Sequence, residues 1–112
     1  MSQKFAILGA GAAGTLLARE LVQHNINDDA QIHIYDSAEK PGARNGRWCL
    51  WAHDDDPLAD LFTHNWSNMT YRDDLIMLQK GLHNYRYAEI EWHPFYQSLH
   101  GWLADQPGIH WH

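Results

Sequence analysis

The chain has 112 residues and lacks the features of several common protein classes. Its single cysteine, Cys49, excludes an intramolecular disulfide framework and fits a reducing cytosol. No apolar run approaches the roughly 20 residues of a transmembrane helix. Because the N-terminus runs directly into the first apolar run, we expect no secretory signal. We therefore expect a cytoplasmic location, with peripheral membrane association as a further expectation.

Positive charge is also scarce. Eight Lys and Arg stand against 14 Asp and Glu, which gives a net charge of −6 and no basic stripe. This balance argues against nucleic acid as a partner. Nine His invite a metal interpretation, but His110 and His112 lack a third ligand at a suitable spacing. The acidic run 53–56 is interpreted as a solvated loop, so we predict no metal site.

The segment from Lys4 to Asp36 predicts a dinucleotide-binding βαβ unit. The apolar run 5–8 reads as a buried strand, and Gly9, Gly11 and Gly14 follow it as G-x-G-x-x-G. The first glycine permits a tight turn, the second lets the backbone approach a pyrophosphate, and the third lets the helix pack close to the strand.

A predicted helix runs from Ala12 to His24, and its N-terminal N–H groups, including that of Ala13, face the phosphates. We expect its apolar face to consist of four residues: Leu16, Leu17, Leu21 and Val22. A polar turn covers 25–29. The second strand, 31–36, ends at Asp36, about 20 residues past the glycines, where a carboxylate accepts from a ribose hydroxyl.

Asp36 narrows the choice of cofactor. A carboxylate here would repel a 2′-phosphate, which argues against NADP and leaves FAD or NAD. Ala18 and Leu21 extend the pattern to G-x-G-x-x-G-x-x-x-A-x-x-L. This longer pattern resembles the FAD-binding unit of flavoprotein oxidoreductases, so the resemblance favours FAD.

A second informative segment spans Asn45 to Trp51. One interpretation is a strand that buries aromatic side chains. The other is a segment beside the cofactor, in which Arg47 or Asn45 reaches flavin, ribityl or phosphate oxygens. The residue types leave both open. Cys49 lacks a neighbouring base and is expected to be a small buried side chain.

The rest of the chain predicts mixed elements. They are a short helix over 57–63 capped by Asp56, a hairpin of 66–72 and 75–78 around the Asp73-Asp74 turn, a strand containing Tyr87 and Ile90, a helix over 95–106, and a strand opening at 109–112. Six aromatic residues cluster late in the chain: Tyr85, Tyr87, Trp92, Phe95, Tyr96 and Trp102. They are interpreted either as core or as an apolar wall that contacts a ligand.

These segments together resemble the lycopene cyclases and related carotenoid-modifying flavoproteins. Some bacterial members read N-D-R-T-W-C-F-W where this chain has Asn45-Gly46-Arg47-Trp48-Cys49-Leu50-Trp51, one residue shorter and with Leu50 in place of Phe. The resemblance covers the whole chain but only the N-terminal part of the family. It implies FAD, reduced by NADPH in the full-length family, and a carotenoid, lycopene-like substrate whose ends undergo redox-neutral cyclisation.

The expected fold class is α/β: a Rossmann-type FAD/NAD(P)-binding βαβ unit, then a β-hairpin and a helix of an incomplete substrate domain. We expect residues 1–56 to belong to the FAD-binding domain and 57–112 to begin a substrate-binding insertion. Because family members are several times longer, we expect a fragment that is inactive alone and prone to self-association through exposed strand edges. Two alternatives remain: another flavin-dependent oxidoreductase, such as a monooxygenase or prenyl reductase, and a non-catalytic nucleotide-binding fragment.

Overall fold

A computed structural model describes residues 3–37 and 46–112, which form a mixed α/β fold as predicted. The elements in chain order are β1 Gln3–Leu8, α1 Ala12–Gln23, α2 Ile26–Asp29, β2 Ala30–Tyr35, β3 Arg47–His53, a 3-10 turn Ala59–Leu61, β4 Phe62–Trp66, β5 Asn68–Arg72, β6 Met77–Gly81, β7 Tyr85–Glu91, α3 Trp92–Ala104 and β8 Ile109–Trp111. The chain divides into two compact units. Of the described residues, the first contains 3–37 and 96–112, and the second contains 46–95.

The first unit is built on a parallel sheet with the strand order β1-β2-β8. Phe5 lies opposite Ile32, which in turn lies opposite Ile109. The two strands predicted on either side of the first helix form, and so does the strand predicted to open near residue 109. The predicted burial of the first strand is wrong, because β1 lies at the edge of the sheet: only its Ile7 is buried, and Leu8 is 84% exposed. The last strand therefore pairs with a segment from near the start of the chain.

The core of the first unit lies between this sheet and its helices. Ile7, Ile32 and Ile34 supply the sheet side, and Ala18, Val22 and Leu103 supply the helix side. These side chains are almost fully buried, which is the main source of stability for so small a unit.

The expected apolar face of α1 is partly wrong. The buried residues of α1 are Thr15, Ala18 and Val22, whereas Leu17 is half exposed. The physical reason is Gly14. A Cβ atom on this glycine would lie 1.9 Å from the Gly9 carbonyl oxygen, so the helix sits too close to β1 for large side chains at the contact.

The second unit contains an antiparallel sheet, β3-β7-β4, and a separate two-stranded hairpin, β5-β6. Trp48 lies opposite Ile90 and Trp51 opposite Tyr87. Its buried side chains are small or apolar: Ala52, Leu58, Ala88, Ile90 and Phe95. The strand predicted around Tyr87 and Ile90 is confirmed as β7.

The helix predicted over 57–63 is wrong. Only the three-residue 3-10 turn forms, and Phe62 instead begins β4, which pairs with β7. The predicted cap at Asp56 is also wrong, because Leu58 precedes the 3-10 turn and no side chain caps it. Asp56 Oδ1 instead accepts from the N–H of Leu58 itself at 2.8 Å. Pairing with a neighbouring strand satisfies the backbone from Phe62 onward, so it replaces a helix that the local sequence only weakly favours.

The predicted hairpin is confirmed with shifted bounds. Its strands are β5 and β6, and Trp66 belongs to β4 instead. At the turn, Asp73 Oδ1 accepts from the backbone N–H groups of Leu75 at 2.8 Å and Ile76 at 2.7 Å. These two hydrogen bonds are the main reason that the pKa of Asp73 lies below its ordinary value.

The remaining helices are α3 and the single turn α2. The predicted helix over 95–106 is confirmed as α3, which begins three residues earlier, and the polar turn over 25–29 contains the single helical turn α2. Within residues 3–37 and 46–112, no helix has both the length and the apolar character needed to cross a bilayer.

We predict that Gly14→Ala destabilises the first unit. The new methyl group would clash with the Gly9 carbonyl oxygen and would lie 3.2 Å from Ile7 Cγ2, so the backbone at the contact of α1 with β1 must move. We expect the free energy of unfolding to fall by about 1–3 kcal/mol or more. Urea unfolding monitored by tryptophan fluorescence measures the change.

Gly101→Ala is the matched control, because Gly101 lies within α3 and an added Cβ meets nothing within 4 Å. This substitution should stabilise the protein by about 0.4–1 kcal/mol. Equal effects of the two substitutions would contradict the close approach of α1 to β1.

Candidate functional site

The glycine-rich turn that follows β1 has a backbone conformation that glycine favours. Gly9 has a φ of +103°, a region that residues with a side chain rarely adopt. Its N–H donates to the Tyr35 carbonyl at 2.7 Å, at the end of β2. This bond holds the glycine turn against the strand end that precedes Asp36.

The N-terminus of α1 follows at once. Gly11 is the residue that precedes the helix, and it offers no side-chain acceptor to the first turn. The N–H groups of Ala12, Ala13 and Gly14 belong to that turn, where an α-helix provides no backbone acceptor. Together with the helix dipole, they form a place where an anion is stabilised.

Asp36 directly follows β2 at the carboxyl end of the parallel sheet. It is half buried, its Oδ1 accepts from the Ser37 N–H at 2.9 Å, and its own N–H donates to the His112 carbonyl at 3.4 Å. The glycine turn and this carboxylate thus leave neighbouring strands at the same edge of the sheet. Such an edge is where ligands bind in open α/β sheets.

A buried polar network that the sequence did not predict lies behind the turn. The Ala10 carbonyl accepts from the Thr15 hydroxyl at 3.1 Å and from the Tyr96 hydroxyl at 2.9 Å. His100 Nε2 lies 3.0 Å from Thr15 Oγ1. Because the Thr15 proton is directed to Ala10, the His100 ring donates through Nε2. The helical spacing of residues 96 and 100 was the available signal, since it puts both side chains on one face of α3.

His100 is also electrostatically linked to the candidate site. Partial burial lowers its pKa below the ordinary value, and the negative charge of Asp36 acts in the opposite direction. The ring also packs against Tyr96 and Trp111, with centroid distances of 4.5 and 4.6 Å. The neutral imidazole is therefore the favoured form in this network.

The two other predicted cofactor-binding residues lie elsewhere in the chain. Asn45 falls outside the described residues. Arg47 opens β3 in the second unit, where its guanidinium lies 3.5 Å from Glu89 Oε1 and 3.5 Å from Glu91 Oε1. The structure thus gives Arg47 two carboxylate partners on β7. Strand pairing determines this arrangement, and the sequence contains no local signal for it.

The second unit has an aromatic cleft of about 290 Å³. The cleft is lined by Trp51, Trp66 and Tyr87, and the Tyr87 ring lies 4.8 Å from Trp51 and 6.0 Å from Trp66.

Cys49, predicted to be buried, is exposed. This prediction is wrong because residues alternate between faces along β3 and Ala52 faces the core. A hydrogen bond with Cys49 is the main cause that raises the pKa of Tyr87.

Three histidines meet on the sheet of the first unit. His33, His110 and His112 stack with ring distances of 4.7 and 5.1 Å from His33, and His33 Nδ1 lies 2.9 Å from His112 Nε2. Desolvation, followed by repulsion from the two other rings and Lys4, lowers the pKa of His33. In the part of the chain that the structure describes, no three His, Cys, Asp or Glu side chains are arranged to hold a metal ion.

Comparison with models of protein families identifies a match. The family model described as lycopene cyclase protein matches residues 5–111, which is nearly the entire chain. Comparison with curated proteins finds no match for this sequence. The matched region contains the glycine turn, Asp36, the buried network and the aromatic cleft.

We predict that Asp36→Asn lowers the pKa of His100. The carboxylate favours the protonated imidazole, so its neutralisation removes the influence that opposes burial. A histidine titration by NMR measures the pKa directly. Asp105→Asn, at an exposed position in the turn after α3, is the control and should leave the pKa unchanged.

The lowered pKa of His100 also predicts that the stability of the folded protein depends on pH. Because the pKa of His100 is lower in the folded protein than in the unfolded chain, the contribution of His100 to the free energy of unfolding is complete above about pH 6.5 and is lost as the pH falls.

A pKa of His100 that stays constant or rises in Asp36→Asn would contradict the proposed link between the two residues.

Proposed function

The chain belongs to the lycopene cyclase protein family, and on this premise we propose that it binds FAD through the glycine turn of its first unit. The observation on which the proposal chiefly rests is geometric: the glycine turn, the helix N-terminus and Asp36 occur together at the carboxyl edge of β1 and β2. We assign the pyrophosphate to the turn and the adenosine ribose to Asp36.

Each residue of the turn fits this assignment. Gly9 supplies the positive φ, and Gly11 removes a side chain from the path of the pyrophosphate. The N–H groups of Ala12, Ala13 and Gly14 supply donors and the positive end of the helix dipole. No charged side chain of α1's first turn competes with the ligand, since that turn contains no acidic residue.

The choice of FAD rests on charge and on family membership. Asp36 would repel the 2′-phosphate of NADP, so NADPH is proposed as the reductant that acts on the bound flavin and not as the ligand of this turn. NAD satisfies the same turn geometry, and the family membership favours FAD over it. The flavin, when bound, supplies the redox-active ring that the family's reaction uses in its reduced form.

The roles of Asn45 and Arg47 are proposed separately from the turn. We propose that they approach the distal part of the cofactor, as their place in the motif that resembles the family suggests. For Arg47 this requires competition with Glu89 and Glu91, which neutralise its charge in this structure. An arginine with two carboxylate partners binds a further anion less strongly than an unpaired one.

The proposed substrate is lycopene, and the proposed reaction is redox-neutral cyclisation of its ends. A hydrocarbon offers no hydrogen-bonding group, so only apolar contact and ring faces can recognise it. The cleft of Trp51, Trp66 and Tyr87 has this character. Aromatic faces also stabilise a carbocation by cation–π attraction, which suits a cyclisation with a cationic intermediate. A cytoplasmic protein that contacts the membrane surface would meet such a substrate there.

We predict that Gly11→Val abolishes FAD binding without unfolding the first unit. Gly11 has a φ of −73° and a ψ of −162°, an extended conformation that any residue adopts, so valine tests the space and not the backbone. Fluorescence titration of flavin measures binding, and circular dichroism verifies the fold.

The control for this prediction is Gly101→Val, at a position in α3 where an added Cβ meets nothing within 4 Å. It should retain FAD affinity, although valine lowers helix propensity slightly. Equal affinity of the wild-type protein and Gly11→Val would place the pyrophosphate elsewhere.

We also predict that Trp51→Ala weakens lycopene binding by about 1.5–3 kcal/mol, the value of one large apolar side chain. Trp51 is 58% exposed and lines the cleft, so its ring is accessible to a ligand. Quenching of tryptophan fluorescence by lycopene in detergent micelles gives the affinity.

Leu75→Ala removes an apolar side chain that is 93% exposed and lies outside the cleft, and it should have no effect on lycopene binding. Equal losses in the two variants would indicate nonspecific adsorption of the hydrocarbon.

A further inference from the structure

We propose that Thr15 and Tyr96 are positioning residues for the nucleotide, because together they orient the peptide between Ala10 and Gly11. This inference rests on the proposed function, since it concerns the same glycine turn. It adds a role for a residue of α3, 86 positions along the chain from Ala10.

The carbonyl oxygen of Ala10 accepts as many hydrogen bonds as it has lone pairs. A carbonyl oxygen has two lone pairs, and Ala10 O receives two hydroxyl donors, Thr15 at 3.1 Å and Tyr96 at 2.9 Å. Thr15 and Ala10 are fully buried and Tyr96 is 2% exposed, so water does not compete for these bonds. Both hydroxyls hold the oxygen towards the interior of the first unit.

The planarity of the peptide bond then sets the direction of the Gly11 N–H. In a trans peptide the C=O and the N–H point in opposite directions, and the chain contains no cis bond among its described residues. With the Ala10 carbonyl held inward, the Gly11 N–H is aimed outward. That N–H lies in the turn to which the pyrophosphate is assigned, so the two hydroxyls pre-organise a donor for the phosphate oxygens.

His100 completes the arrangement. Its Nε2 lies 3.0 Å from Thr15 Oγ1 and donates to that oxygen, which leaves the single hydroxyl proton of Thr15 available for Ala10. Two side chains of α3, Tyr96 and His100, therefore act on the turn through its carbonyl and through Thr15. The helix near the end of the chain determines the geometry of a loop near its beginning.

A pair of ligands separates positioning from general stability. ADP and adenosine share the adenine and the ribose that Asp36 is proposed to bind, and only ADP has a pyrophosphate. Loss of the Tyr96 hydroxyl should therefore weaken ADP binding and leave adenosine binding unchanged. A merely structural role of Tyr96 would weaken both.

The experiment measures dissociation constants of ADP and adenosine by NMR titration of the full chain. Tyr96→Phe and Thr15→Val should each raise the dissociation constant of ADP roughly three- to tenfold, the effect of one hydrogen bond. Thr15→Ser keeps the hydroxyl and should restore the wild-type value. Tyr71→Phe is the matched control, because its hydroxyl donates to Asp73 on the exposed hairpin.

Two results would overturn the inference. One is an unchanged affinity for ADP in Tyr96→Phe, and the other is an equal loss for ADP and adenosine. Should Thr15→Val fail to fold, Tyr96→Phe and Thr15→Ser still decide the question. A wild-type protein that binds neither nucleotide would refute the proposed function, and this inference with it.

Discussion

The close contact between α1 and β1 is the constraint on which the first unit depends. Gly14 lies so near the Gly9 carbonyl that no side chain fits between them. This contact brings the N-terminus of α1 over the end of β1, and parallel pairing brings the end of β2 alongside it. The anion-stabilising helix end and the Asp36 carboxylate are neighbours for that reason. Packing and the candidate site therefore have the same origin.

The same unit is completed from the far end of the chain. β8 pairs with β2, Leu103 of α3 joins the core, and Tyr96 and His100 reach the glycine turn. A loop of glycines has high conformational entropy, so its geometry must be held by external contacts. Two buried hydroxyls on one carbonyl supply such contacts. The local motif and its distant support act as one structure.

Successive side chains along β3 of the second unit point to opposite faces of the sheet, so its aromatic residues lie in two different environments. Trp48 packs against Phe95 with a centroid distance of 5.2 Å, while Trp51 turns to the opposite side and lies in the open cleft. The aromatic residues of this unit thus lie both in the core and on the accessible surface. The exposure of Cys49 follows from the same alternation.

Local sequence signals specify several elements of the fold without reference to distant residues. These are the glycine turn between a strand and a helix, the acidic end of the second strand, the hairpin around Asp73, and the residues by which the chain resembles its family. Each depends on backbone conformation or on periodicity over a few residues, which neighbouring residues dictate. The features that join distant segments depend instead on the folded chain. Phe62 enters a strand because β7 offers pairing, Arg47 meets Glu89 and Glu91 through strand register, and the Ala10 carbonyl finds Tyr96 on a helix far along the chain. Local propensity cannot predict such contacts, because their energies come from partners whose proximity arises only when the chain is folded.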